Sequence, residues 1–126
     1  MARPTEVRWL DRPEEKDYAA AESFLSMLVA PSMLADLIAR LREAPEGHWK
    51  AKDIFRAAGL PPLKPKQSAE VAEKLAKVKA GKAISPILIV GGLRDSLVIA
   101  DGYHRASAAH RIDEDTAVPG RLLWVT

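Results

Sequence analysis

Leu97-Val98-Ile99-Ala100-Asp101-Gly102-Tyr103-His104-Arg105-Ala106-Ser107-Ala108-Ala109-His110-Arg111 carries an apolar strand through an Asp-Gly turn into a helix. Gly102 lets the backbone turn tightly. The first amides of the following helix are left without intrahelical partners, and the helix dipole puts partial positive charge at the same place. His104 and Arg105 add side-chain donors there, and a guanidinium suits bidentate recognition of phosphate or carboxylate. The junction therefore points to a phosphate-bearing ligand. Arg105 stands where the dipole disfavours a cation unless an anion compensates it, and the protein's own candidates for that are Asp101 or an acidic side chain from another segment. Asp101 abuts the turn, and its own side chain is a candidate to cap the helix and fix the turn. The small residues from Ala106 to Ala109 let the helix lie close against a sheet.

The flanks supply that sheet. Pro86 to Val90 is a continuous aliphatic run, Gly91-Gly92-Leu93-Arg94-Asp95 is turn-forming, and Ser96 to Ala100 is the second run of a central hairpin. A last strand is expected from Gly120 to Val125, after the acidic loop Asp113-Glu114-Asp115 and Pro119. Upstream, Ser68 caps a helix to about Ala80 with Val71, Leu75 and Val78 inward, Glu70–Lys74 and Glu73–Lys77 at four-residue spacing, and Gly81 closing it. Lys74, Lys77, Lys79 and Lys82 alternate with glutamates, which reads as a solvated face rather than a nucleic-acid surface. Leu60 to Gln67 is a proline-stiffened connector. Before it, His48 to Lys52 reads as a short edge strand, Asp53 as the cap of a helix from Ile54 to Ala58, and Gly59 as its C′ residue. Lys50 and Lys52 are candidates to reach a phosphate tail.

The first residues, through about Lys16, read as an extended arm pinned by Trp9 and Leu10. From Asp17 the apolar spacing turns helical through Tyr18, Ala21, Phe24 or Leu25 and Leu28, and Pro31 is expected to end that helix. Ser32 then caps a second helix whose stripe is Leu34, Leu37, Ile38 and Leu41, with Arg40 and Arg42 in its last turn. This helical hairpin reads first as packing for the domain; a partner-binding face, including a homodimer, is the second reading.

With 126 residues and 48% hydrophobic composition the chain fits one globular domain, and 19 basic against 17 acidic residues give no field that draws a protein onto DNA. The absence of cysteine excludes disulfides, thiolate metal sites and thiol chemistry. His104 and His110 are roughly 600 degrees apart on a helix, so no metal site is expected. The opening Met1 to Glu6 lacks the pattern of a targeting signal and no apolar run approaches the roughly 20 residues that span a bilayer, so a cytoplasmic protein without membrane association is expected.

At Asp101-Gly102-Tyr103-His104-Arg105-Ala106-Ser107-Ala108-Ala109 the chain resembles the ParB-like/sulfiredoxin-like superfamily, whose members place a Gly-x-(His/Arg)-Arg element after a strand and hold nucleotide phosphates with it. The helix from Ser68, the Ile84 to Val90 strand, the second strand and the helix through Arg111 resemble that family's order, and the likeness covers roughly residues 48 to 125. Two departures narrow what it implies. Sulfiredoxins carry a catalytic cysteine where this chain has Tyr103, so sulfinic-acid reduction is not expected. Chromosome-partition members continue into helix-turn-helix and dimerisation domains after this module, so DNA segregation is not expected either.

The expectation is an α+β fold: a small mixed sheet packed by helices, one domain over 1–126, with an arm and helical hairpin in 1–45 and a ParB/sulfiredoxin-like module in 46–126. The resemblance implies binding of a nucleotide (ATP, ADP or CTP, with or without magnesium) or another phosphorylated small molecule at Gly102, Tyr103, His104 and Arg105. Tyr103 is positioned to stack on a base, and Asp101 is the candidate for a catalytic role. The alternatives are a nucleotide-dependent phosphotransferase or hydrolase, and a protein-interaction module using the hairpin.

Overall fold

A computed structural model describes residues 6–125; the first five residues of the expected arm lie outside them. Among the described residues the fold is α+β, with five helices around one four-stranded mixed sheet. In chain order the elements are α1 (Glu15–Leu25), α2 (Pro31–Glu43), β1 (Glu46–Lys50), α3 (Ala51–Ala58), α4 (Ala69–Lys79), β2 (Ile87–Gly91), β3 (Val98–Asp101), α5 (Tyr103–Ile112) and β4 (Ala117–Trp124). Strand order is β1-β4-β2-β3. The hairpin of β2 and β3 is antiparallel, and α5 carries the chain back so that β4 enters between β1 and β2, parallel to β2 and antiparallel to β1. Every residue of β2 is buried, as its unbroken aliphatic run requires when both faces are covered.

Each sheet face carries its own half of the core. Tyr18, Ala21 and Leu25 of α1 and Leu37, Ile38 and Leu41 of α2 pack on Leu88, Val90, Val98 and Ala100. The stripe of the helical hairpin is therefore turned onto the sheet. Ile54 and Phe55 of α3 and Ala106 and Ala109 of α5 cover the other face at Ile87, Ile89, Ile99 and Val118. The alanines of α5 are fully buried, which is how that helix comes so close. No described helix is long and apolar enough to cross a membrane.

Several boundaries differ from the sequence reading. Pro31 does not end a helix but opens α2 at its first position, with Ala30 rather than Ser32 as N-cap. Proline suits that place because its missing amide would be unpaired there anyway. The helix α1 starts two residues before Asp17, whose carboxylate reaches back to accept the Glu14 amide at 2.8 Å. The strand expected from His48 to Lys52 is Glu46–Lys50, and Asp53 is not a cap but lies in the first turn of α3. The first amides of α3 are met instead by main-chain carbonyls, Ala51 by Thr116 at 3.0 Å and Lys52 by Glu114 at 2.9 Å, so no side-chain cap sets its start. The last strand begins at Ala117, since it pairs on both sides. Ser68 caps α4 as expected, its hydroxyl accepting from Val71 at 3.2 Å. The arm runs beside the residues before β2, with Leu10 donating to the Ile84 carbonyl and Ile84 to that of Arg8, each at 2.9 Å.

Candidate functional site

The end of β3 and the start of α5 meet at Gly102, which is the N-cap at φ 107°. A Cβ there would lie 2.5 Å from Cγ2 of Ile87, so both the backbone angle and the close seat on β2 require glycine. Among the described residues no side chain caps α5, and no acidic residue lies in its first turn. The amides of Tyr103, His104 and Arg105 precede the first helical hydrogen bond, from Ala106 to the Gly102 carbonyl at 2.9 Å. The capping reading of Asp101 is thus corrected: the capping position belongs to Gly102, and the Asp101 carboxylate accepts instead from Nη2 of Arg105 at 3.0 Å.

Arg105 is turned inward and is 11% exposed. Its Nε donates to the Ser85 carbonyl at 2.8 Å, and Nη2 is shared between Asp101 and the Pro86 carbonyl at 3.3 Å. Nη1 stands 3.5 Å from Asp17, which is 3% exposed. One guanidinium thereby ties α5 to β3, to the entry of β2 and to the first turn of α1, and the cation is compensated by two carboxylates. Burial pushes the Asp101 carboxyl above its usual range, against the pull of the Arg105 charge, and the nearby Asp17 pushes it the same way.

The other residues of the turn have distinct surroundings. Tyr103 donates its hydroxyl to the Pro61 carbonyl and sets its ring edge-on to Phe55 with centroids 6.0 Å apart. The proline connector is held again one turn on, where Ser107 Oγ accepts from the Leu63 amide at 3.1 Å. His104 lies beside α4: the Glu70 carboxyl is held below its usual range by its own amide, by the Ser68 hydroxyl and by the charge of His104. Lys50 and Lys52 are not brought to the turn; they converge on Asp115, at 3.9 and 2.7 Å.

Behind Arg105, between α4, the start of α1 and the residues before β2, lies a polar recess of about 170 Å³. Lys16, Lys74, Lys77 and Arg105 line it, with Glu14 as the carboxylate of its wall. Lys16 pairs with Glu14 at 3.4 Å, and Lys74 and Lys77 reach Glu73 at 3.6 and 3.7 Å. These are solvent-accessible pairs of small net strength. The sequence reading left Lys74 and Lys77 on a solvated face and Lys16 in the arm. Their convergence depends on the packing of α4 against α5, and the sequence signal was only that both lysines sit on one face at three-residue spacing. A larger cleft, about 420 Å³, lies at the other end of the strands.

Comparison with protein-family models, with curated proteins and with solved structures gives no match for this chain.

Proposed function

We propose that the chain is a ParB/sulfiredoxin-like module that binds a nucleotide or another phosphorylated small molecule at the turn from Gly102 to Arg105, with the anion drawn into the recess behind Arg105. The observation that carries this reading is the convergence of Lys16, Lys74 and Lys77 on one polar recess walled by Arg105, a residue of the first turn of the uncapped helix α5. Uncapped amides attract anions through their unpaired N–H groups and the helix dipole, and flexible ammonium groups complement a phosphate as point charges. The resemblance of Asp101 to Ala109 to the family's phosphate-holding element agrees with that placement. Binding is favoured over phosphoryl transfer, because Asp101 is engaged by Arg105 and is not a free base at the turn.

The test is a thermal-shift panel of ATP, ADP, CTP, GTP and inorganic phosphate, with and without magnesium. A ligand at about 100 times its dissociation constant stabilises the folded state by roughly 2.7 kcal/mol, a shift on the order of 10 °C for a domain of this size. The double variant Lys74→Ala, Lys77→Ala keeps the fold and loses most of that shift. No shift with any member of the panel, or a shift unchanged in the double variant, refutes the proposal. Nucleotide recovered intact after prolonged incubation with magnesium separates binding from hydrolysis.

A further inference from the structure

Register sets two ends of the sheet apart: Leu88 pairs with Asp101 at the turn described above, whereas Gly91 pairs with Trp124 at the other end of β2. There, outside the carboxyl ends of the parallel pair β2 and β4, α3 and the β2–β3 turn enclose the cleft of about 420 Å³. Crevices at such strand ends, in this size range, are where open α/β sheets take small ligands.

Two tryptophans form its walls. A Cβ on Gly91 would lie 2.5 Å from Cε3 of Trp124, so that indole lies directly over the glycine backbone, and the Trp49 ring lies over Gly47 in the same way. Trp124 nevertheless stays 59% exposed, a large aromatic surface fixed in place but uncovered. Between the rings, Leu122 and its partner Ile89 make an apolar floor, and Ile54 of α3 makes the side wall. The rim is polar and rich in acceptors: Asp53, Asp95 and Ser96, against Arg94 as the cation. Arg56 holds Asp53 at 3.3 Å on its exposed side, and Asp95 has no ion pair among the described residues.

We propose that this cleft binds a planar aromatic group whose edge carries a cationic hydrogen-bond donor, the ring lying against Trp124 and the donor facing Asp95. The rigid indoles supply flat apolar contact at little entropic cost, and they favour a ring with positive edge character. The carboxylate of Asp95 selects a donor over an acceptor at the rim. The proposal is independent of the phosphate reading, since the two sites share no lining residue.

Benzamidine, benzamide and benzoate share one planar shape and differ in edge charge, and titration of each is followed by the NMR indole N–H signals of the whole chain. The Trp124 and Trp49 signals move with benzamidine, while that of Trp9 stays still. Benzamidine binds about threefold more tightly than benzamide, the scale of an ion pair open to solvent, and benzoate binds weakest. Trp124→Ala abolishes the response, and Asp95→Asn brings benzamidine down to the level of benzamide with the fold unchanged by circular dichroism. No movement up to tens of millimolar, equal binding of all three, or a benzamidine preference that survives Asp95→Asn overturns the proposal.

Discussion

Replacing Arg105 by methionine keeps the bulk of the side chain and removes its charge and donors. The guanidinium stands between Asp17, which is 3% exposed, and Asp101, and it also caps the carbonyls of Ser85 and Pro86. Removing one partner of a buried ion pair costs about 3–5 kcal/mol, because the remaining charge stays desolvated. Here two carboxylates are left side by side. Set against the roughly 5–15 kcal/mol that holds a domain of this size, Arg105→Met should lose about 4 kcal/mol and on the order of 15 °C of melting temperature. Urea denaturation followed by far-UV circular dichroism measures the loss.

The same substitution has a pH signature. Without the cation, the Asp101 carboxyl keeps the burial that raises it and loses the charge that pulls it down, so the folded variant binds more protons than its unfolded chain and its stability falls as pH rises. The deficit of Arg105→Met should therefore be largest near neutral pH and shrink towards pH of about 4–5. A loss below about 1 kcal/mol at neutral pH, the size of an exposed pair, or a loss with no pH dependence, refutes the structural role assigned to Arg105. Ligand binding lost in an Arg105 variant therefore does not distinguish a ligand contact from a damaged fold. The lysines of the recess make that distinction.

In the unsubstituted protein burial raises the Asp101 carboxyl above its ordinary value of 3.8, so its share of stability falls as pH climbs from that value through the raised one, and Asp101→Asn should gain on the parent across that window in paired denaturant titrations. Gly102→Ala combines φ 107° with a contact 2.5 Å from Ile87 and should cost more than about 2 kcal/mol, whereas Gly59→Ala, at φ 67° with open space around it, should cost about 1 kcal/mol; equal losses in urea melts would refute the packing argument. Ser68→Ala should cost about 1 kcal/mol by removing the cap of α4, read from the same melts.

The central hairpin was legible because its signals are local. The run Ile87 to Val90, the Gly91-Gly92 turn and the strand into Asp101 state a hairpin whatever packs on it, and Ser68 announces α4 by its own hydroxyl. The starts of α1 and α3 were less legible because other segments complete them. The α3 amides end on Glu114 and Thr116, more than fifty residues on, and nothing near Ala51 in the sequence marks them. The site divides along the same line. Gly102 could be read as the turn residue from its neighbours, but the destination of the Arg105 side chain could not. Asp17 belongs to the segment that the family resemblance leaves unexplained, and only the packing of α1 on β3 brings it to the guanidinium.

That division assigns different work to the cations of the recess. Arg105 already answers Asp17 and Asp101, so a phosphate bound as proposed would meet a guanidinium whose charge is spent and two carboxylates behind it. The attraction then has to come from Lys16, Lys74 and Lys77, whose pairings with Glu14 and Glu73 are exposed and easily exchanged. Arg105 fixes where α5 begins, and hence where its free amides point, while the lysines supply the field. Exposed ammonium groups are screened within a Debye length of about 8 Å at physiological salt, so phosphate affinity at this site should fall steeply with ionic strength even though the guanidinium network beneath it does not loosen.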